Sequence, residues 1–233
     1  MSPEPAAKPA ALVTAGSAGL GAAAARLLAR NGYRVAVNYH SNAERAEALV
    51  RELQQQHQEE KDFVAIRADL GSRDDVVRLV RETVEGFGGR LDAVFSIDDN
   101  AHDDDWDRAF AVNVKSHLWL LQAAKPYLES APGGGAFVST ASLAGVSVSG
   151  SSLAYAVTKA AQIHLSKCLA SMAAPHISDW AARFSDEEKE GHRQKTKLKR
   201  IVTVEDVAEQ VFTFIKTRSM TGVNVVMDAG YTL

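Results

Sequence analysis

The sequence predicts an α/β chain built on a doubly wound parallel sheet with helices on both faces, and three observations predict it. Short apolar runs without polar alternation recur at residues 11–13, 35–37, 63–66, 91–96 and 135–139, as strands buried on both faces do. Runs with helical periodicity separate them, residues 43–56 among them. The first apolar run stops at Gly16, Gly19 and Gly21 and passes at once into an Ala/Leu-rich stretch over residues 22–28, which reads as strand, tight turn and helix. The 233 residues suit one domain over residues 10–233, behind a proline-rich disordered tail over 1–9.

The first turn reads Thr14-Ala15-Gly16-Ser17-Ala18-Gly19-Leu20-Gly21. Glycines let the backbone bend sharply and let a pyrophosphate approach. The opening turn of the helix adds free N–H groups and a positive dipole end. The spacing is GxxGxG rather than GxGxxG. Gly16, Ser17, Gly19, Leu20 and Gly21 are therefore candidate phosphate-binding residues. Residues 10–29 are apolar enough to suggest a membrane segment, but three glycines and Arg26 interrupt them and no basic stretch precedes them.

The first helix ends at Asn31-Gly32, where glycine suits the position after a helix. The second strand runs into Asn38-Tyr39-His40-Ser41-Asn42. A carboxylate there would bind the ribose 2′-hydroxyl of NAD and repel a 2′-phosphate. Asn38 is neutral, and His40, Ser41 and Asn42 can donate to phosphate, which favours NADP(H). Ordinary turn residues ahead of a helix are the other reading. Residues 43–56 follow as that helix, and residues 63–66 form the third strand, ending in Ala68-Asp69-Leu70. Ser72 and Asp75 have capping spacing and open a helix to about Phe87. The fourth strand leads into Asp98, Asp99, His102, Asp103, Asp104 and Asp105. That run lacks metal-ligand spacing and reads as a solvated loop entering a helix N-terminus, with no metal expected.

Residues 106–128 read as one long helix with Asn113 inside it, where an amide has poor propensity and a buried structural role is the plain account. Ser142 follows the fifth strand, and Tyr155 stands thirteen residues later with Lys159 four beyond it. That spacing puts Tyr155 and Lys159 on one helical face. A free tyrosine titrates near ~10, and a nearby ammonium favours its phenolate; lowering it by about three units takes roughly 4 kcal/mol. His164 and Cys168, farther along this helix, read as packing residues.

Taken together these residues resemble the short-chain dehydrogenase/reductase family over nearly the whole chain. The stretch from Thr14 to Gly21 is similar to its TGxxxGxG motif, with Ala15 as an added residue and the glycine spacing tightened. The resemblance implies a Rossmann-type single domain with NADP(H) as cofactor. It implies hydride delivery to a carbonyl (or imine) carbon of a small organic substrate, with Tyr155 as general acid. Lys159 would tune Tyr155 and hold the nicotinamide ribose, so both would touch cofactor as well as serve catalysis. Ser142 would orient the substrate oxygen, and Asn113 would support a proton relay. Asp69 and Leu70 would meet the adenine, although Asp69 could equally cap the turn after it. A homotetramer or homodimer is implied too. Two other classes share these features: a non-catalytic dinucleotide-binding protein, and a redox-independent cyclase reusing the pocket.

Two stretches depart from the pattern. Ser96-Ile97-Asp98-Asp99 replaces an Asn-Asn-Ala-Gly turn, and no strand fits between Ile177 and Ser178, although residues 220–230 resemble the last strand that would pair with one. The expectation is that residues are missing between Ser96 and Ile97 and between Ile177 and Ser178, and an intact mass of 25.0 kDa would overturn it. Residues 181–191 read as a short lid helix, and Thr203 caps a helix reaching Lys216. Residues 192–200 are basic but carry no aromatic residues, which argues against nucleic acid. A net charge of −3 favours neither nucleic acid nor an anionic membrane as partner. Cys168 stands alone, which excludes an internal disulfide and fits the reducing cytoplasm.

Overall fold

A computed structural model describes residues 7–97, 105–132, 134–148, 151–170, 194, 202–217, 225 and 227. Strands β1 (Ala10–Val13), β2 (Arg34–Tyr39), β3 (Phe63–Arg67), β4 (Ala93–Ser96) and β5 (Ala136–Ser139) pair in parallel in the order β3-β2-β1-β4-β5. Successive strands step outward from β1 in one direction and then, from β4, in the other. Ligands of such sheets bind in the crevice at that reversal, outside the carboxyl ends of the strands.

Alternation along each strand sorts the core into two layers. Ala11, Val13, Val35, Val37 and Phe95 face α1 (Gly19–Arg30), α2 (Ala43–His57) and α7 (Val204–Lys216). Leu12, Ala36, Val94 and Phe137 face α3 (Arg73–Gly86), α5 (Ser116–Ser130) and α6 (Leu153–Ala170). All four β1 residues are wholly buried, so both faces of the central strand are covered and the doubly wound expectation holds.

Helix starts follow local chemistry. The side chains of Asn42, Ser72 and Thr203 accept from the N–H of Arg45, Asp75 and Asp206, and Asp206 completes a capping box with Thr203. The long helix expected over residues 106–128 is divided. A short α4 (Trp106–Phe110) runs into a π-helical turn over Ala111–Lys115, and α5 continues from it. Propensity does not announce that wider turn, which tends to occur at functional positions.

Of the tail expected to be disordered over residues 1–9, residues 1–6 lie outside the described residues and residues 8 and 9 are held in place. The Pro9 carbonyl accepts from Arg34 N–H at 2.8 Å, and Lys8 pairs with Glu59 and Asp62 at 2.9 and 2.6 Å. The loop over residues 98–104, the junction at Ile177 and Ser178 and the lid helix lie outside the described residues. So do most of residues 220–230, expected as a last strand; the described Val225 and Met227 pack against the first core layer.

Candidate active site

The glycine turn leaves the carboxyl end of β1, and Thr14 anchors it. The Thr14 hydroxyl donates to the Ile97 carbonyl at 2.5 Å and accepts from Ile97 N–H at 2.7 Å, joining the ends of β1 and β4. Ala15 has φ +44 and Gly19 φ +50. The expectation that Ala15 is an added residue is corrected here. Counted from Thr14, the TGxxxGxG motif runs through without insertion, and Ala15 occupies the first glycine position in the left-handed backbone that glycine favours. Gly16 and Gly21 serve close approach instead. A Cβ on Gly16 would lie 2.9 Å from the Val13 carbonyl oxygen, and one on Gly21 only 2.6 Å from that of Ala15. The Leu20 side chain is buried in the core, turned away from any ligand at the bend. The helix opens without a side-chain cap and without an acidic residue in its first turn, which leaves its N–H groups for an anion.

Left-handed backbone costs a non-glycine residue about 1–2 kcal/mol, against roughly 0.4–1 kcal/mol for the extra freedom of glycine in the unfolded chain. Ala15→Gly should therefore stabilise the fold by up to about 1 kcal/mol, read as a higher urea midpoint. A lower midpoint would contradict the strain.

The residues expected to hold a 2′-phosphate separate into two groups. Asn38 is 1% exposed and its amide is spent inside the protein. Its Oδ1 accepts from Ala15 N–H at 3.2 Å, and its Nδ2 donates to the carbonyls of Ile66 and Ala68 at 3.3 and 3.1 Å. The Asn38 amide is therefore committed to clamping the glycine turn to β3 rather than open to a 2′-phosphate. Ser41 and Asn42 are exposed, and the Asn42 oxygen caps α2. His40 lines a recess with Ala15, Asn38, Asp69, Leu70, Arg108 and Val112.

Asp69 stands at the rim of this recess, and its turn-capping role is present. Its Oδ1 accepts from Gly71 N–H at 2.8 Å, while its Oδ2 accepts from Arg108 at 2.8 Å. The Arg108 hydrogen bond, more than any other influence, holds the Asp69 carboxyl below the usual carboxylate range against the opposing effect of burial. Asp69 N–H in turn donates to Asp75 at 2.8 Å.

The chain after β5 carries Ser142, whose Oγ accepts from Ala144 N–H at 3.2 Å and starts a 3-10 turn over Leu143–Gly145. That turn sits directly on α6. A Cβ on Gly145 would meet Lys159 C at 2.6 Å. Tyr155 and Lys159 lie one turn apart on α6, with Lys159 Nζ 5.5 Å from the Tyr155 ring centroid. Lys159 is 1% exposed. Its ammonium donates to the Thr140 carbonyl at 2.9 Å and to Gln162 Oε1 at 3.0 Å, and Gln162 donates to the same carbonyl at 2.6 Å.

Asn113 lies in the π-helical turn, wholly buried. Its Nδ2 donates to Thr158 Oγ1 at 3.0 Å, and the Thr158 hydroxyl donates to the Tyr155 carbonyl at 2.9 Å. Its Oδ1 is buried without a hydrogen-bond partner among the described residues. A purely structural amide would satisfy both ends.

Ser142, Tyr155, Lys159 and Asn113 thus converge, through contacts at Gly145 and Thr158, on the carboxyl edge of the sheet. The glycine turn leaves the same edge two strands away, about 10 Å at the usual strand spacing. Thr140, Thr158, Gln162, Gly145 and Arg108 escaped the sequence reading because the partner of each lies elsewhere in the chain or, for Gln162, in buried packing. His164 and Cys168 are exposed on α6, so the expectation that they pack is corrected. No group of metal-ligating side chains, and no helix long and apolar enough to cross a membrane, occurs among the described residues.

Comparison with known proteins agrees with this geometry. A family model described as short chain dehydrogenase matches residues 9–178. A ketoacyl reductase of the granaticin polyketide synthase of Streptomyces violaceoruber is 31% identical over 245 residues, 95% of each chain. The 3-oxoacyl-acyl-carrier-protein reductase of Staphylococcus aureus is 30% identical over 242 residues, 94% of this chain and 96% of that one. Among solved structures, a short chain dehydrogenase from Burkholderia cenocepacia in complex with NADP superposes with a TM-score of 0.83 at 29% identity, over 97% and 98% of the two chains.

Proposed function

The chain belongs to the short-chain dehydrogenase family, and from that premise we propose that it reduces a carbonyl (or imine) carbon of a small organic substrate with NADPH. The observation that carries the reading is the buried Lys159 ammonium beside the Tyr155 ring, fixed by the Thr140 carbonyl and Gln162. A buried ammonium persists only where acceptors satisfy it, and this one would stabilise negative charge on the neighbouring phenol oxygen.

The residues at the glycine turn fit a dinucleotide. Gly16 and Gly21 let the bend close tightly on its own backbone, and the start of α1 has no side-chain cap to compete with a pyrophosphate. Exposed Ser41 and Asn42, with His40, would hold the 2′-phosphate. When bound, NADPH supplies the hydride. Tyr155 gives its proton to the substrate oxygen as negative charge develops there. Ser142 donates to that oxygen and orients it. The Asn113 Oδ1, without a donor among the described residues, would accept from the relay that reprotonates Tyr155. A homodimer or homotetramer is part of this reading by analogy with the family.

The test is NADPH oxidation by the purified protein across a panel of ketones, aldehydes, quinones and 3-oxoacyl thioesters, with NADH in parallel. Oxidation with at least one carbonyl compound, faster with NADPH, is expected. Tight NADPH binding with no oxidation across the panel would make the chain a binding protein instead.

A further inference from the structure

We propose that Gln162 is a positioning residue that holds the Lys159 ammonium in the cofactor-free protein and yields it when a nicotinamide ribose binds, so that Gln162 and NADPH compete for one cation. This rests on the NADPH reading above, which gives Lys159 the ribose to hold. Gln162 is wholly buried on α6, and both ends of its amide are used. Oε1 accepts from Lys159 Nζ at 3.0 Å, and Nε2 donates at 2.6 Å to the Thr140 carbonyl, which also takes a Lys159 N–H at 2.9 Å. Lysine, glutamine and carbonyl thus close a ring of three hydrogen bonds.

The two acceptors of the ammonium differ in freedom. The Thr140 carbonyl belongs to the main chain just beyond β5, where Thr140 N–H donates to the Ser96 carbonyl at 3.0 Å and Ser142 follows two residues on. It cannot leave without moving the end of the sheet. The Gln162 amide ends a side chain that turns about its own torsions, while its backbone stays in α6, its carbonyl accepting from Ser166 Oγ at 3.0 Å. Gln162 is therefore the exchangeable partner. An ammonium only donates, and a buried one must keep its acceptors. In the cofactor-free protein Gln162 supplies one of them; in the complex a ribose hydroxyl takes that place. Affinity shows only the surplus over what binding gives up, so the contact with Gln162 is subtracted from the contact with the ribose.

The experiment measures equilibrium binding of NADPH by nucleotide fluorescence, and the melting temperature without nucleotide, for wild type, Gln162→Met, Lys159→Met and the double variant. Methionine keeps the length of glutamine and offers the ammonium no oxygen. Gln162→Met should melt lower without nucleotide and yet bind NADPH about tenfold more tightly, the worth of one hydrogen bond to a charged group. In the Lys159→Met background the same change should alter affinity by less than about twofold, as it must when the partner of the interaction is gone. A merely structural amide gives the other sign: lower melting with equal or weaker NADPH binding, and that result overturns the inference. An affinity gain that persists without Lys159 overturns it too, because the competition would then not run through the ammonium. Gln162→Leu carries the same expectations should the methionine variant not fold. Failure of the wild type to bind NADPH would instead sink the cofactor reading beneath it.

Discussion

Tyr155→Phe should lower the rate of NADPH-dependent carbonyl reduction by about 10²–10⁴-fold, the usual worth of a positioned general acid, while leaving fold and NADPH affinity close to wild type. The second half follows from how α6 is held. The Tyr155 backbone N–H donates to Ser152 Oγ at 3.3 Å, and its carbonyl accepts from the Thr158 hydroxyl at 2.9 Å, so both contacts survive loss of the phenol oxygen. The ring stays half-buried in either variant. Lys159 keeps the Thr140 carbonyl and Gln162 as partners, so no buried charge is stranded. A binding titration alongside initial rates checks both halves. Rates within a few-fold of wild type would remove Tyr155 from the chemistry.

Gly145→Ala should be the most damaging of the single-methyl changes around the site. The added carbon would meet Lys159 C at 2.6 Å, with Ala160 N and Lys159 O both at 2.8 Å. All three are helix backbone, so no flexible side chain can swing away. Relief requires the turn bearing Ser142 to move off α6. Overpacking of this kind costs about 1–3 kcal/mol, a fall in melting temperature of roughly 3–10 °C for a chain of this size. The loss of activity should exceed what unfolding explains, because displacement by about 1 Å at a catalytic group can cost on the order of 100-fold. Gly86→Ala is the control: nothing lies within 4 Å of its Cβ position, so it should be neutral or slightly stabilising. A Gly145→Ala enzyme as stable and active as that control would show that Ser142 and Lys159 need no fixed separation.

Much of the fold was legible because local chemistry and burial agree. Continuous apolar runs marked the five described strands, and Ser72 and Thr203 marked helix starts that tertiary contacts then kept. The Tyr155–Lys159 pair was legible for the same reason, since a helix fixes which residues share a face. The burial of the Asn38 amide was not legible, because it depends on β3 lying alongside. Ala15 was misjudged because a backbone angle, rather than residue type, reveals which place in the glycine motif it fills.

By itself, then, the sequence determined the order of strands and helices, the glycine bend and the spacing of tyrosine and lysine, all matters of near neighbours along the chain. Only packing settled that Arg108 reaches Asp69, that Gly145 admits α6 and that the Asn113 amide oxygen, in its π-helical turn, stays unpaired among the described residues. The physical reason is distance: those contacts join residues that the chain keeps far apart, and packing of β1, β4 and β5 brings their loops to one edge.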